Sequence, residues 1–385
     1  MQKTRSRGMS GTRKCVFALV ACSLIVGVAG GLGEVYVRLT RKHEDLAVLT
    51  GLRAGRGGSE GWKIPDAFCS YRTESNVVYD GVFVGSGVKT SNNHGYISSP
   101  DMDYKKSGDE IRIVCFGGSS TAGVSGHSLS DEETWPAKCA TYLQQKLPGR
   151  KVTYLNAAQG GYSSFESYGR LWSRVRMFQP DIAVVYHGWN EMYYFRDSDK
   201  AKRWRMGEVG LSQMFEPAWF DPILGYSQLL TKVRRRMASP LGGEVGIPSG
   251  GELADDFDGD ALHVWRRNLQ LFRETCSLLD IDLFVCKQAT LISEELSEEH
   301  KRRCRAYYHG FSYDAHLRAF RAVYEVVKDE IAADRVIDVT PLSGSPELFY
   351  DHIHPTPMGT TEIAAVVSDS ILAALMKRTE KHASR

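Results

Sequence analysis

The sequence predicts an α/β protein: a three-layer α/β/α sandwich around a five-stranded, parallel, doubly wound sheet, preceded by an N-terminal transmembrane helix. Three observations lead to this prediction. Short β-branched apolar runs alternate with amphipathic helical stretches from residue 111 onward, small and polar residues cluster where those runs end, and an uncharged apolar run precedes them all. Alternation of this kind is typical of parallel strands joined by right-handed helical crossovers.

Five strands are predicted in order, at Ile111–Cys115, Val152–Leu155, Ile182–Tyr186, Leu283–Cys286 and Val336–Val339. Helices are predicted at about Trp135–Lys146, Phe165–Met177, Ala261–Leu279, Glu294–Tyr308, Tyr313–Asp329 and from Pro357 onward. Thr356 is the expected N-cap of the last helix, because a proline follows it at the first helical position.

An uncharged run from Cys15 to Gly33 is about 19 residues long, close to the length of a membrane-spanning helix. Five basic residues precede the run and three follow it closely, which favours a cytoplasmic N-terminus. We therefore expect a basic tail at 1–14 and a transmembrane anchor at 15–37, with the folded part in a periplasm, at a cell surface or in a lumen. A cleaved signal peptide and a lipoprotein processed at Cys22 are the alternatives.

The remaining organisation follows from composition. Residues 38–108 are expected to form a stalk and an irregular lead-in, and 109–380 the folded domain, with an insertion at about 192–260. The chain has 385 residues and a formal net charge of +2, so nucleic acid is not an expected partner. The eight cysteines form no CxxC pair and no Cys/His zinc spacing, so we expect no metal and no other cofactor.

The first predicted strand ends in a turn of small residues, Gly117-Gly118-Ser119-Ser120-Thr121. A serine here lies at the carboxyl end of a parallel strand, where ligands bind in open α/β sheets. Taken alone, the stretch is equally typical of a glycine-rich turn without chemistry or of a phosphate cradle.

Other polar stretches fall at the same edge of the predicted sheet. A serine is a poor nucleophile until a base removes its proton, and histidine has a suitable pKa near neutral pH. Asp351 stands three residues before His354, so the carboxylate can orient that imidazole toward Ser119, with His352 as the rival base. The backbone N–H groups of Ser119 and Gly161 and the side-chain amide of Asn190 are the candidate oxyanion hole.

These stretches resemble, in order, the four motif blocks of the SGNH (GDSL) hydrolase family. The first is similar to the family's Gly-Asp-Ser block, with Gly118 in place of the aspartate. Gly161 corresponds to the second-block glycine, with Gly160 one residue away. Gly188–Glu191 is similar to Gly-x-Asn-Asp with a glutamate in last place, and Asp351–His354 is similar to Asp-x-x-His.

The resemblance covers about 111–375 and implies an SGNH/flavodoxin-like fold and a serine esterase or acylhydrolase with the triad Ser119, Asp351 and His354. The implied substrate is an ester, for example an O-acyl group on a saccharide or lipid, and the N-terminal helix is the expected membrane contact. An acyltransferase with the same triad is one alternative. A binding protein that has kept the fold and lost activity is another, and Gly118 and Glu191 keep it open.

The insertion contains basic runs and aromatic residues, and the aromatic residues include Trp204, Trp219, Phe220 and Tyr226. We interpret it as a solvated lid, with a substrate-binding cap or a membrane-contacting surface as the functional alternative.

Overall fold

The computed structural model describes residues 11–40, 63–66, 68–79, 89–124, 129–195, 224, 226–238, 253–304 and 309–383. The chain divides into two compact units: Met1–Gly55 with Leu211–Gly243, and Arg56–Gly210 with Glu244–Arg385. Most of the predicted insertion, including Trp204, Trp219 and Phe220, lies outside the described residues.

The helices are α1 (Gly11–Thr40), α2 (Ser119–Ala122), α3 (Trp135–Lys146), α4 (Ser164–Ser173), α5 (Gln228–Ala238), α6 (Leu262–Leu278), α7 (Glu298–Lys301), α8 (Tyr313–Glu330) and α9 (Pro357–Ala383). The strands are β1 (Lys63–Asp66), β2 (Ser70–Thr73), β3 (Val78–Tyr79), β4 (Lys89–Thr90), β5 (Glu110–Gly117), β6 (Lys151–Asn156), β7 (Ile182–His187), β8 (Asp282–Lys287) and β9 (Val336–Asp338).

In the first unit, α1 packs against α5, and Glu34 is the centre of the contact. Its carboxylate accepts hydrogen bonds from the backbone N–H groups of Gln228 (2.9 Å) and Leu229 (2.8 Å) and from the Ser227 hydroxyl (2.7 Å). Arg38 also donates to Glu34, at 2.6 Å. The charge that interrupts the apolar run therefore caps the N-terminus of α5 and has a basic partner.

Two helices of the described chain are long and apolar enough to span a membrane. One is Cys15–Thr40 of α1, with a mean hydropathy of 2.4 and with large apolar side chains exposed along its length. The other is Pro357–Lys377 of α9, with a mean hydropathy of 1.3, and its residues Ile363, Val367 and Ile371 are buried in the core of the second unit. Of these two helices, the N-terminal one is therefore the helix that exposes large apolar side chains along its length.

The second unit is built on a five-stranded sheet in the order β6-β5-β7-β8-β9, and every pair is parallel. All residues of β5 and β7 are buried, as expected for strands covered on both faces. Helix α3 packs on α9, whereas α6 packs on α4 and α8, so helices form a layer on each face. The predicted fold class is confirmed, and each strand of the sheet begins and ends within two residues of its predicted bounds.

The start of α9 is as predicted, because the Thr356 hydroxyl accepts a hydrogen bond from Gly359 N–H at 3.1 Å. The predicted helix at Glu294–Tyr308 is wrong within the described residues, where only Glu298–Lys301 is helical. The preceding chain is held as a loop by tertiary hydrogen bonds, including Leu291 N–H to the His352 carbonyl at 2.9 Å. The lead-in is also more regular than expected, since β1 pairs with β2 and β3 with β4.

Candidate active site

The candidate nucleophile turn, residues 117–122, lies where β5, an interior strand of the sheet, ends. Its two glycines are required by space: a Cβ at Gly117 would overlap the Thr121 hydroxyl, and a Cβ at Gly118 would overlap the side-chain nitrogen of Asn190. Ser119 begins the single turn of α2 and is half-buried, whereas Ser120 is buried. The serine side chain is thus presented at the carboxyl edge, where loops from neighbouring strands meet.

Ser119, His354 and Asp351 form a continuous hydrogen-bonded series. Ser119 Oγ lies 2.7 Å from Nε2 of His354, and Nδ1 of the same ring lies 2.8 Å from Oδ2 of Asp351. Asp351 also accepts hydrogen bonds from the backbone N–H groups of Ile353 and His354, both at 3.0 Å. The carboxylate therefore shapes the loop that carries the histidine and orients its ring.

The electrostatics of Asp351 suit that arrangement. Burial alone would raise the pKa of this carboxyl, but the hydrogen bond from His354 and the charge of the histidine lower the pKa well below its usual range. Asp351 is therefore ionised at neutral pH and favours a proton on Nδ1 of His354. Nε2 is left as the acceptor that faces Ser119.

His352, the rival base, is directed elsewhere. Its ring is buried against Trp189, with the ring centres 4.1 Å apart. Its Nδ1 is 3.7 Å from Asp351, longer than the contact that His354 makes. Of the two histidines in this loop, the structure thus brings His354 to Ser119.

The candidate oxyanion residues differ in placement. Asn190 and Ser119 line one cavity, and the Asn190 amide donates one of its two N–H groups to the carbonyl of Tyr162 at 2.6 Å. Gly161 stands next to Tyr162 with a φ of +86°, in the left-handed region that favours glycine. Among the described residues that line the cavity, Gly161 is absent.

Glu191, the glutamate that departs from the family pattern, is buried and supports the loop after β7. Its carboxylate accepts from Ser164 N–H and from the Ser164 hydroxyl, both at 2.7 Å, at the N-terminus of α4. Burial raises the pKa of Glu191 to about 7 and lowers that of His187, 3.6 Å away, to about 3. The two side chains therefore do not form an ion pair at neutral pH, and Glu191 acts as a hydrogen-bond acceptor beside Asn190.

Sequence reasoning missed Gln288, which follows β8 and lines the same cavity as Ser119. Its side chain accepts a hydrogen bond from Trp189 N–H at 2.8 Å and donates to the Ser120 hydroxyl at 3.4 Å. A topological signal was present, because β8 pairs in parallel with β7 and so must end at the same edge. No motif block of the family marks that position.

Comparison with known proteins relates part of the chain to a protein family. The model of the GDSL-like lipase/acylhydrolase family matches residues 115–298, which include Ser119, Gly161 and Asn190 but not Asp351 and His354. This segment, slightly less than half of the chain, is therefore similar to that family, and the match supports a serine ester hydrolase of SGNH type. No curated protein matches it.

Solved structures with which the chain aligns are remote in sequence. A variant of Axe2, an acetyl xylan esterase from Geobacillus stearothermophilus, is 14% identical with a TM-score of 0.40, over 70% of this chain and 97% of that one. The acetyl xylan esterase AlAXEase is 16% identical with a TM-score of 0.37, over 69% and 99%. A putative GDSL-like lipase from Parabacteroides merdae is 12% identical with a TM-score of 0.39, over 70% and 98%.

Proposed function

We propose that the protein is a membrane-anchored, extracytoplasmic serine esterase in which Ser119 is the nucleophile, His354 the general base and Asp351 the group that orients it. The observation that carries the proposal is the series of contacts from Ser119 Oγ through His354 to Asp351, at 2.7 Å and 2.8 Å. Both distances are within hydrogen-bond reach, which is the geometric requirement for a nucleophile, its base and the orienting acid.

The proposed reaction has two halves. Ser119 Oγ bonds to the carbonyl carbon of the ester while its proton passes to Nε2 of His354, and collapse of the tetrahedral intermediate expels the alcohol with that proton. Water then bonds to the acyl carbon and gives a proton to Nε2 of His354. Collapse of this second intermediate breaks the bond to Ser119 Oγ, which takes the proton back from His354, and the carboxylic acid leaves. Asp351 stays ionised throughout, because its pKa is held well below neutral by the His354 hydrogen bond in spite of burial.

The oxyanion of each intermediate needs donors aimed at it. We assign this role to the backbone N–H groups of Ser119 and Gly161 and to the Asn190 amide. The assignment of Asn190 is supported by its place in the cavity beside Ser119 and by its second N–H group, since only one donates to Tyr162.

The proposed substrate is an ester of a saccharide or lipid, in keeping with a family of lipases and acylhydrolases. The anchor is supported by the exposed apolar surface of Cys15–Thr40, and the orientation by the excess of basic residues before it. A C-terminal reporter that is active only outside the cytoplasm should therefore be active when fused to the full-length chain. Activity of a cytoplasm-only reporter instead would contradict the orientation.

Activity is tested with the full-length protein in detergent and p-nitrophenyl acetate as substrate. Ser119→Ala should lose nearly all turnover, roughly 10³-fold or more. Ser368→Ala is the matched control, because this buried serine on α9 donates to the Cys139 carbonyl. If Ser119→Ala hydrolyses the ester as fast as the Ser368→Ala control does, the proposal is refuted.

A further inference from the structure

Three loops of the site are joined by one series of hydrogen bonds through Gln288. Trp189 N–H donates to Gln288 Oε1 at 2.8 Å, Gln288 Nε2 donates to Ser120 Oγ at 3.4 Å, and Ser120 donates to the Ile353 carbonyl at 3.1 Å. The directions are consistent with one another. A backbone N–H can only donate, so the amide oxygen faces Trp189 and the amide nitrogen faces Ser120, whose own proton then goes to Ile353.

Each link holds the residue beside a proposed functional group. Ser120 is next to Ser119, Trp189 is next to Asn190, and Ile353 is next to His354. The series thus fixes the backbone of the nucleophile turn, of the loop after β7 and of the loop that carries His354 relative to one another, and none of its members is itself a proposed catalytic group.

Gln288 is itself firmly held. Its side chain is only 4% exposed, and its carbonyl accepts a hydrogen bond from the hydroxyl of Tyr324. The position opposite is a glycine, Gly188, where a Cβ would lie 2.9 Å from Gln288 Oε1 and 3.2 Å from its Cβ. The close packing leaves the amide little freedom to choose other partners.

The nucleophile turn has little bracing of its own. Gly118, the N-cap of α2, has no side chain with which to cap it, and the helix is only four residues long. Family relatives with an aspartate at this position have a side chain there that this chain lacks. The connection from Ser120 to Gln288 braces the turn from the neighbouring strand end instead.

We propose that Gln288 is a positioning residue that, through Ser120, Trp189 and Ile353, holds Ser119, Asn190 and His354 in register. This inference rests on the proposed function. The proposed role requires both a hydrogen-bond acceptor and a donor on the side chain at position 288. A side chain of similar length that has neither should preserve the packing but no longer hold the three loops in register.

The test is the rate at which a fluorophosphonate labels full-length protein in detergent, measured for wild type, Gln288→Met, Ser120→Ala and the double variant, with Ser119→Ala as the zero. We expect Gln288→Met to slow labelling roughly 10- to 100-fold and to lower kcat for p-nitrophenyl acetate with KM within about twofold. The double variant should be little slower than Gln288→Met alone, because the two residues act through one series of contacts.

Ser368→Ala and Ile371→Val are the controls. The first removes a buried serine hydroxyl and the second a buried methyl group on α9, so they report loss of stability without change at the site. Both should label at the wild-type rate. If labelling of wild type depends on Ser119 and Gln288→Met is labelled as fast as these controls, the inference is overturned and the proposed function still stands. Wild type that is not labelled at Ser119 would remove the proposed function itself, and this inference with it.

Gln288→Glu gives a second readout that a purely structural role would not move. A neutral carboxylic acid can make both contacts, whereas a carboxylate has no proton for Ser120. Because burial raises the pKa of an acid, the labelling rate relative to wild type should rise as pH falls. A ratio that is independent of pH between about 5 and 8 would count against the inference.

Few other groups near position 288 titrate in that range. Burial raises the pKa values of Tyr186 and Tyr324 well above their ordinary value and lowers that of His187 to about 3. Burial raises the pKa of Glu191 to about 7, inside that range, and division by the wild-type rate removes the pH dependence that both proteins share.

Discussion

The nucleophile turn after β5 and the loop after β7 both carry proposed catalytic groups, yet they are held in different ways. The turn consists of small residues and is held by hydrogen bonds to residues outside it: Ser120 bonds to Gln288 and Ile353, and Thr121 accepts from Asn156 and Trp135. The loop after β7 contains Trp189, whose ring packs against those of His309 and His352 at 4.3 Å and 4.1 Å between centres.

Because of this difference, we expect changes in the two regions to affect catalytic activity and folding stability to different degrees. A turn held by a few hydrogen bonds can move by a fraction of an ångström at little cost in folding free energy, and such a shift is enough to impair catalysis. A loop held by buried rings and a buried carboxyl loses folding free energy first when it is altered. Changes to the residues that hold the first region should therefore appear in kcat, whereas changes to the residues that hold the second, such as Trp189 and Glu191, should appear in the melting temperature.

The largest expected effect is at the base. His354→Ala should reduce kcat/KM for p-nitrophenyl acetate roughly 10³-fold or more, with little change in melting temperature because the ring is partly exposed. Adding Ser119→Ala should reduce activity little further, since the two residues act as a unit. Retained activity in His354→Ala together with its loss in His352→Ala would reverse the assignment of the base.

Asn190→Ala should come next, with kcat lowered about 10²- to 10³-fold and KM nearly unchanged, as expected when one oxyanion donor is removed. The measurement is steady-state kinetics on the same ester. A rise in KM with kcat intact would assign Asn190 to substrate binding instead.

Gly118→Ala should lower kcat about tenfold, because the added Cβ would overlap the Asn190 side-chain nitrogen. The matched control is Gly108→Ala, where no atom lies within 4 Å of the added carbon. In an Asn190→Ala background the cost of Gly118→Ala should shrink, because the clashing atom is gone. An unchanged cost in that background would show that the overlap is not the cause.

The smallest effect on activity is expected at Glu191, where pH-dependent stability is the readout. Burial raises the pKa of Glu191 from 4.5 to about 7, so the folded state holds a proton that the unfolded state releases. The free energy of unfolding therefore falls as pH rises across that window and is level above it. Glu191→Gln should flatten the profile of melting temperature against pH between 5 and 7, whereas Glu362→Gln, an exposed carboxyl on α9, should not. An unaltered slope in Glu191→Gln would contradict this account.

Local patterns were sufficient for the sheet and for most of the helices. Buried parallel strands are continuous apolar runs, so β5, β7 and β8 could be read directly from the sequence. The three-residue spacing of Asp351 and His354 likewise favoured His354 over His352, and in the folded chain His354 contacts Ser119 whereas His352 packs on Trp189.

What could not be predicted depends on tertiary contacts. The helix predicted at Glu294–Tyr308 is one example, because the chain just before it is held as a loop by tertiary hydrogen bonds such as Leu291 N–H to the His352 carbonyl. Gln288 has no neighbour in sequence that marks it, because its partners are 99 and 168 residues away. Gly118 and Glu191 each stand where the family has an aspartate. The reasons appear only in the folded chain, where Gly118 faces the Asn190 side chain and Glu191 accepts hydrogen bonds from Ser164.

The central claim is that Ser119 is the nucleophile, and covalent labelling tests it most directly. Full-length wild-type protein is treated with a fluorophosphonate and digested. The adduct is then located by tandem mass spectrometry, with fragmentation that distinguishes the adjacent residues Ser119 and Ser120. The account predicts a single adduct on Ser119, whose hydroxyl is 2.7 Å from His354, and none on Ser120, whose hydroxyl donates to a backbone carbonyl. An adduct on Ser120, or on neither serine in protein that hydrolyses esters, would contradict it.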